Sequence, residues 1–243
     1  MQSLEYDRSF LAARILLDKI NANMIISGAF GLFEKKAVIA VGGYDNSTMG
    51  EDMELVVRLH EFSRMNRKPY KIRFAQDAIC WSQTPEKLRE LCKQRKRWQR
   101  GLFQCMWGHR KMLANPRYGA VGLLSYLYFL FYELLSPFIE LLGVLTMVLS
   151  VMMDMVNVKF MLVFLAFYAL YGILLTLTAY FSRIYTIDQR LSFRELILAI
   201  IACFFETTFL RFYLAFVRVT AFVGYKKNKL NWGKLERKKM NRI

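Results

Sequence analysis

The second half of the chain has few conformations open to it. Phe160–Phe181 is apolar and contains no charged residue, and Tyr118–Met153 is apolar throughout except for Glu133 and Glu140. A hydrocarbon core offers backbone N–H and C=O groups no partner, so unbroken apolar runs of this length must be helical there, and about 20 residues cross one bilayer. Phe160–Phe181 reads as a clean span. Tyr118–Met153 is longer than one upright span and carries Pro137, which has no N–H to give. It reads as two helical pieces meeting at Ser136-Pro137, either a tight hairpin or an interfacial piece leading into a span. Leu196–Gly224 is a further candidate, provided that Glu206, Arg211 and Arg218 face protein, water or headgroups.

Composition agrees with a membrane protein: of 243 residues, 55% are hydrophobic and 15% aromatic. The net charge of +16 comes from 35 Lys+Arg against 19 Asp+Glu, with basic clusters in Lys87–Lys111 and Lys226–Arg242. Flanking apolar segments, these clusters suit anionic membrane lipids. No nucleic-acid motif accompanies them, so no nucleic acid is expected as a partner. Cys80, Cys92, Cys105 and Cys203 lack CxxC spacing, and His60 and His109 are the two imidazoles, which argues against a zinc site or a disulfide framework. The chain opens without a charged segment leading into an apolar run, so the first half is read as cytoplasmic. The basic tail, 225–243, is cytoplasmic by the positive-inside rule. Both ends on one side imply an even number of crossings, two or four.

Residues 1–118 read as a soluble or peripheral part, and residues 119–224 as membrane helices. In the first part, Leu4–Ile20 has helical spacing, Met24–Phe33 reads as a buried strand, and Glu34–Val41 as a short helix ended by Gly42-Gly43. A helix over Glu51–Met65 follows, then short strands at Pro69–Phe74 and Ala78–Trp81. Thr84-Pro85-Glu86 supplies an N-cap, an N1 proline and an early acid for a long basic helix to about Leu113. Within this frame, Met49-Gly50-Glu51-Asp52 puts two carboxylates in the first turn of a helix, where unpaired N–H groups favour negative charge. Helix capping alone would account for them. In the basic helix, Gln94, Arg97 and Trp98 lie three and four residues apart and share a face, with Gly101 leaving room one turn on. Arg forks onto phosphate oxygens and an indole offers a platform to a pyranose; lipid-facing or packing roles compete with that use.

Glu51-Asp52 followed by Gln94-Arg95-Lys96-Arg97-Trp98 resembles the acidic ED and QxxRW signatures of membrane-embedded family 2 glycosyltransferases, the group of cellulose, hyaluronan and poly-β-1,6-N-acetylglucosamine synthases. Ser27–Phe33 and Val41–Asp45 resemble that family's acceptor-side segment, and the tail Asn231-Trp232-Gly233-Lys234 resembles the poly-N-acetylglucosamine group; no FxVTxK gating loop is present. The resemblance implies an α/β fold. Residues 1–84 would be the acceptor-side half of a GT-A-type catalytic domain, 85–118 an amphipathic interface helix carrying QxxRW, 119–224 an α-helical transmembrane region and 225–243 a tail.

It further implies an inverting hexosyltransferase that adds a sugar, N-acetylglucosamine by the closest likeness, from a UDP-sugar to a polysaccharide acceptor at the cell membrane. Asp52 would be the catalytic base and Glu51 its support. Gln94, Arg97 and Trp98 would bind the nucleotide-sugar and acceptor end, Ser27 and Gly28 would let the acceptor pass close to backbone, and Trp81 would stack on it; ordinary packing competes for these last three. Mg2+ or Mn2+ is expected in the complete enzyme, with ligands outside this chain. No Asp-x-Asp precedes Asp45, so the nucleotide-binding half is expected from a missing N-terminal portion or an accessory subunit, and this chain by itself is expected to be inactive. A non-catalytic membrane remnant or scaffold that needs a partner chain is the second reading, and an ion transporter built on Glu133, Glu140, Glu206, Arg211 and Arg218 a third.

Overall fold

The computed structural model describes residues 5–6, 13–68, 70–75, 78, 80, 82–187 and 192–225. Its larger elements are helices α1 (Ile15–Lys19), α2 (Lys35–Ala40), α3 (Glu51–Met65) and α4 (Leu88–Gly108), then α5 (Val121–Leu134), α6 (Ser136–Met152), α7 (Val158–Ile187) and α8 (Phe193–Phe222).

Helix α3 takes the bounds its sequence suggests, and it packs two ways. Met53 and Val57 join Met24, Cys105, Met106, Met112, Val121, Tyr126 and Phe129 in a core shared with α4 and α5. Leu55, Val56 and Leu59 bury against Ala37 of α2 and Ile72. Arg58 of α3 clamps the turn after α2 by donating to the Val41 and Gly43 carbonyls, both at 2.7 Å.

Helix α4 begins later than the Thr84-Pro85 signal suggests, at Leu88 with Lys87 as N-cap. Residues 82–84 are exposed, and Leu91 is the first of the apolar series to gain cover; a cap worth about 1 kcal/mol does not carry a helix out into solvent. Arg89 and Lys93 of α4 are exposed, but other polar side chains of the helix are not. Arg95, Gln99, Gly101, Cys105 and Met106 are buried, because α3 packs on one side of it and the end of α8 on another.

The α/β expectation is not confirmed: among the described residues there is no strand. Around Ala22–Met24 and Tyr70–Phe74 the backbone groups are bonded to side chains, so no ladder forms. Ile72 N donates to Asn21 Oδ1 at 2.8 Å, Asn21 Nδ2 to the Tyr70 carbonyl at 3.1 Å, and Phe74 N to Asp18 Oδ1 at 2.7 Å. The Ala22 and Asn23 carbonyls accept from Ser125 Oγ at 2.6 Å and His60 Nε2 at 2.8 Å. Met24–Phe33 is not buried along its length either, since a turn closes from Phe30 N to the Ser27 carbonyl and Leu32 is 97% exposed. Of the strand expected at Ala78–Trp81, residues 79 and 81 lie outside the described set, as do residues 226–243 of the tail.

The apolar half matches its reading closely. Helices α5 and α6 meet at a 47° bend, while α7 and α8 are each long and apolar enough to cross a membrane. Tyr168 meets Arg211, with the guanidinium 5.8 Å from the ring centroid, and Gly172 lies against Thr207. These contacts make α7 and α8 antiparallel, so α8 carries the chain back to α4, where the Ala221 carbonyl accepts from Arg100 Nε at 2.7 Å. Two ion pairs of this half join different elements: Arg211 pairs with Glu140 at 2.8 Å and Arg218 with Glu133 at 3.8 Å.

Where α4 crosses the start of α3, backbone lies on backbone. A Cβ on Gly101 would sit 2.7 Å from Gly50 N and 2.8 Å from Gly50 Cα, and neither atom can rotate away. Gly101→Ala is therefore expected to cost about 1–3 kcal/mol, read as a lowered thermal unfolding midpoint in detergent. Gly108→Ala, where an added Cβ meets nothing, is expected to leave the midpoint unchanged or raise it.

Candidate functional site

The segment before α3 is held by α4. Gln104 Oε1 accepts from Met49 N at 2.8 Å and from Thr48 Oγ1 at 3.1 Å. Together with the Gly50–Gly101 contact, these bonds bring the first turn of α3, with Glu51 and Asp52, against the turn of α4 that follows Arg97 and Trp98. The space that Gly101 leaves is thus filled by Gly50 backbone.

Asp52 is half-buried and its carboxylate is oriented by backbone: Oδ2 accepts from Gly28 N at 3.0 Å and Oδ1 from Met53 N at 2.9 Å. The turn at Ser27–Phe30 is what aims the Gly28 amide. Ser27 sits half-buried beside it, with Oγ 3.5 Å from Ala29 N. A Cβ on Gly28 would lie 3.5 Å from Asp52 Oδ2, an ordinary contact, so the residue matters here for its amide more than for its size. Glu51 is half-buried next to Asp52.

Gln94, Arg97 and Trp98 are all half-buried on α4. The Trp98 indole has company on its faces, with the Arg95 guanidinium 4.9 Å from the ring centroid and the Tyr6 ring at 6.3 Å. Buried Arg95 is itself gripped by the Glu5 carboxylate through both terminal nitrogens. Trp81 lies outside the described residues.

Arg14 belongs to this site and was not singled out by its sequence. Burial pushes its guanidinium down to about 10, opposed by the charges of Asp52 and Glu133 that it faces. In the sequence it was one of several cations on a helix, and nothing local distinguished it from Arg8 or Lys19. Gln104 was missed similarly, because its partners are fifty-five residues away.

Two histidines tie the site's helices together with opposite protonation demands. His60 is buried and pushed down to about 4 by that burial, with the Asn23 carbonyl as its acceptor. His109 is also penalised by burial, but hydrogen bonds to Glu54 and Glu61 outweigh it and raise its pKa. Its Nδ1 lies 2.6 Å from Glu61 Oε2 and its Nε2 3.4 Å from Glu54 Oε1. Carboxylates accept only, so serving both requires an imidazolium.

A family model described as glycosyl transferase family group 2 matches residues 1–223. The chain belongs to this family. Among curated relatives, the poly-beta-1,6-N-acetyl-D-glucosamine synthase of Staphylococcus aureus (strain COL) is 38% identical over 90 residues, 37% of this chain and 19% of the relative. The synthase of the same name from Staphylococcus epidermidis (strain ATCC 35984) is 32% identical over 115 residues, 47% of this chain and 25% of the relative. The chain thus spans a fifth to a quarter of these relatives' length. No solved structure matches. The apolar helices α7 and α8 of this family member, each long enough to cross a bilayer, point to a membrane protein.

The two histidines give opposite pH dependences of stability. The lowered pKa of His60 contributes stability that is present above its ordinary 6.5 and lost as pH falls towards 4. The raised pKa of His109 contributes stability that is present below 6.5 and lost as pH rises through its higher value. Unfolding midpoints of wild type and His109→Asn, followed from about pH 5 to about pH 9, should converge at the alkaline end. A deficit in His109→Asn that grows with pH would contradict the imidazolium assignment.

Proposed function

We propose that the protein takes part in inverting sugar transfer. It would move a sugar, N-acetylglucosamine by its likeness to the staphylococcal synthases, from a UDP-sugar to a growing β-linked polysaccharide at the membrane. The observation that carries this reading is the locked crossing of α3 on α4, which holds the ED turn beside the QxxRW helix in a chain of this family.

In this reading the acceptor hydroxyl gives its proton to Asp52 as its oxygen attacks the anomeric carbon, and the nucleoside diphosphate departs from the opposite face. An α-linked donor then yields a β-linked product. A carboxylate is a weak base towards an alcohol, but the proton need only leave as the new bond forms. The Gly28 and Met53 amides keep both carboxylate oxygens oriented, and Arg14 supplies positive charge nearby. Glu51 supports the acceptor side. Arg97 stabilises the departing diphosphate, and Gln94 and Trp98 hold the sugar.

The resemblance brings a divalent ion to this chemistry. Among the described residues no group of three His, Cys, Asp or Glu side chains is placed to hold one, so this set does not fit a metal cage, and no step above runs through it. For topology, α7 and α8 cross as an antiparallel pair, which leaves the bent pair α5–α6 re-entrant and keeps the site and the tail on the cytoplasmic side.

In native membranes that also supply the nucleotide-binding half, given radiolabelled UDP-N-acetylglucosamine, Asp52→Asn is expected to lower polymer labelling by about 10²–10⁴-fold, the range of a lost general base, with the protein still inserted and folded. Unchanged labelling would remove Asp52 from the chemistry and favour a scaffold role.

A further inference from the structure

The break between α5 and α6 frees two backbone carbonyls in an apolar setting. Pro137 has no N–H, so the Glu133 carbonyl, four residues back, loses its helical donor. Phe138 N and Ile139 N both turn to the Leu135 carbonyl, at 3.0 and 3.1 Å, which leaves the Leu134 carbonyl free as well. Unmet acceptors of this kind are costly to bury, and Pro137 is among the fully buried side chains.

Both carbonyls are capped from outside their own helix. Gln99 Nε2, on α4, donates to the Leu134 carbonyl at 3.0 Å, and Arg218, on α8, donates to the Glu133 carbonyl. The two capping side chains also bond each other, Arg218 Nε to Gln99 Oε1 at 2.7 Å. The Gln99 amide thus uses its donor on the membrane break and its acceptor on the returning membrane helix, and the residue is only 2% exposed. It stands one position after Trp98 and two after Arg97. Rotation or sliding of α4 would break both Gln99 bonds at once and leave the Leu134 carbonyl and the Arg218 Nε–H without these partners.

We propose that Gln99 and Arg218 are positioning residues: they latch the helix bearing Arg97 and Trp98 to the membrane break, so that the state of the break sets where those two side chains stand. The proposal rests on the reading of Arg97 and Trp98 as substrate-binding groups for its catalytic consequence, but the latch itself is a matter of geometry. Any movement that closes or opens the α5–α6 bend moves the acceptors of Gln99 and Arg218, and α4 must follow or let go.

The test uses the full chain in lipid nanodiscs with Trp81, Trp107 and Trp232 replaced by Phe, leaving Trp98 as the sole indole. Gln99→Leu is expected to shift the Trp98 emission maximum, because Tyr6, which lies outside α4, no longer meets the ring in the same register. Gln99→Glu keeps the acceptor for Arg218 and loses the donor to Leu134, and is expected to shift it less. In native membranes, Gln99→Leu and Arg218→Met should lower kcat by about 10²-fold with KM changed less than about threefold, the mark of misplaced groups, while Arg218→Lys restores part of the rate. Emission unchanged in both Gln99→Leu and Gln99→Glu would overturn the latch. So would a rate loss that merely follows the amount of folded protein. If Asp52→Asn left transfer intact while the Trp98 shift persisted, the latch would stand and the glycosyl-transfer reading would fall.

Discussion

Two glycines touching across a helix crossing hold the arrangement on which the rest depends. Gly101 of α4 admits the backbone of Gly50 to within ordinary non-bonded distance only because neither residue carries a Cβ. That approach brings the Thr48 hydroxyl and Met49 amide within reach of Gln104, and so positions the first turn of α3 against the helix with Arg97 and Trp98. With larger residues at either position the helices would stand apart, and the acidic turn and the basic helix would be separate surface features.

The crossing also explains how a helix so rich in cations buries one of its faces. Arg95 bonds Glu5, Gln99 caps Leu134, Arg100 caps Ala221, and His109 bridges Glu54 and Glu61. Each of these bonds joins α4 or its C-cap residue to a different element, and paired burial of this kind is what makes such placement tolerable. Helix α4 is thereby a central strut between the acidic turn on one side and the returning membrane helix on the other. Among the charges of the membrane helices, Arg211 and Arg218 are paired across elements with Glu140 and Glu133.

How far the sequence could be read varied with the range of the interaction concerned. The bounds of α3, the short α2, and the break at Ser136-Pro137 were legible because each follows from local chemistry: glycine turns, apolar spacing at helical period, and a missing N–H. The strand expected at Met24–Phe33 does not form, because such an apolar run has no helical or alternating signature and whether it pairs depends on a neighbour the run does not encode. For the backbone of Ala22, Asn23, Ile72 and Phe74, the side chains of Ser125, His60, Asn21 and Asp18 supplied the partners instead. The start of α4 was misplaced because a good cap is worth less than burial. Of the site, Glu51, Asp52, Gln94, Arg97 and Trp98 were marked by motif, whereas Arg14, Gln99 and Gln104 carry no local mark.

By itself the sequence determined which segments are apolar at helical spacing, where the chain breaks at proline, and which two motifs resemble the family's signatures, since these depend on residue type and short spacing. Only the tertiary structure decided that Gly50 meets Gly101, that the Gly28 amide orients Asp52, that Arg14 faces it, and that Gln99 and Arg218 cap the freed carbonyls. Those are contacts between residues far apart in the chain, made at distances of about 3 Å, and no local pattern specifies which donor will reach which acceptor once the helices have packed.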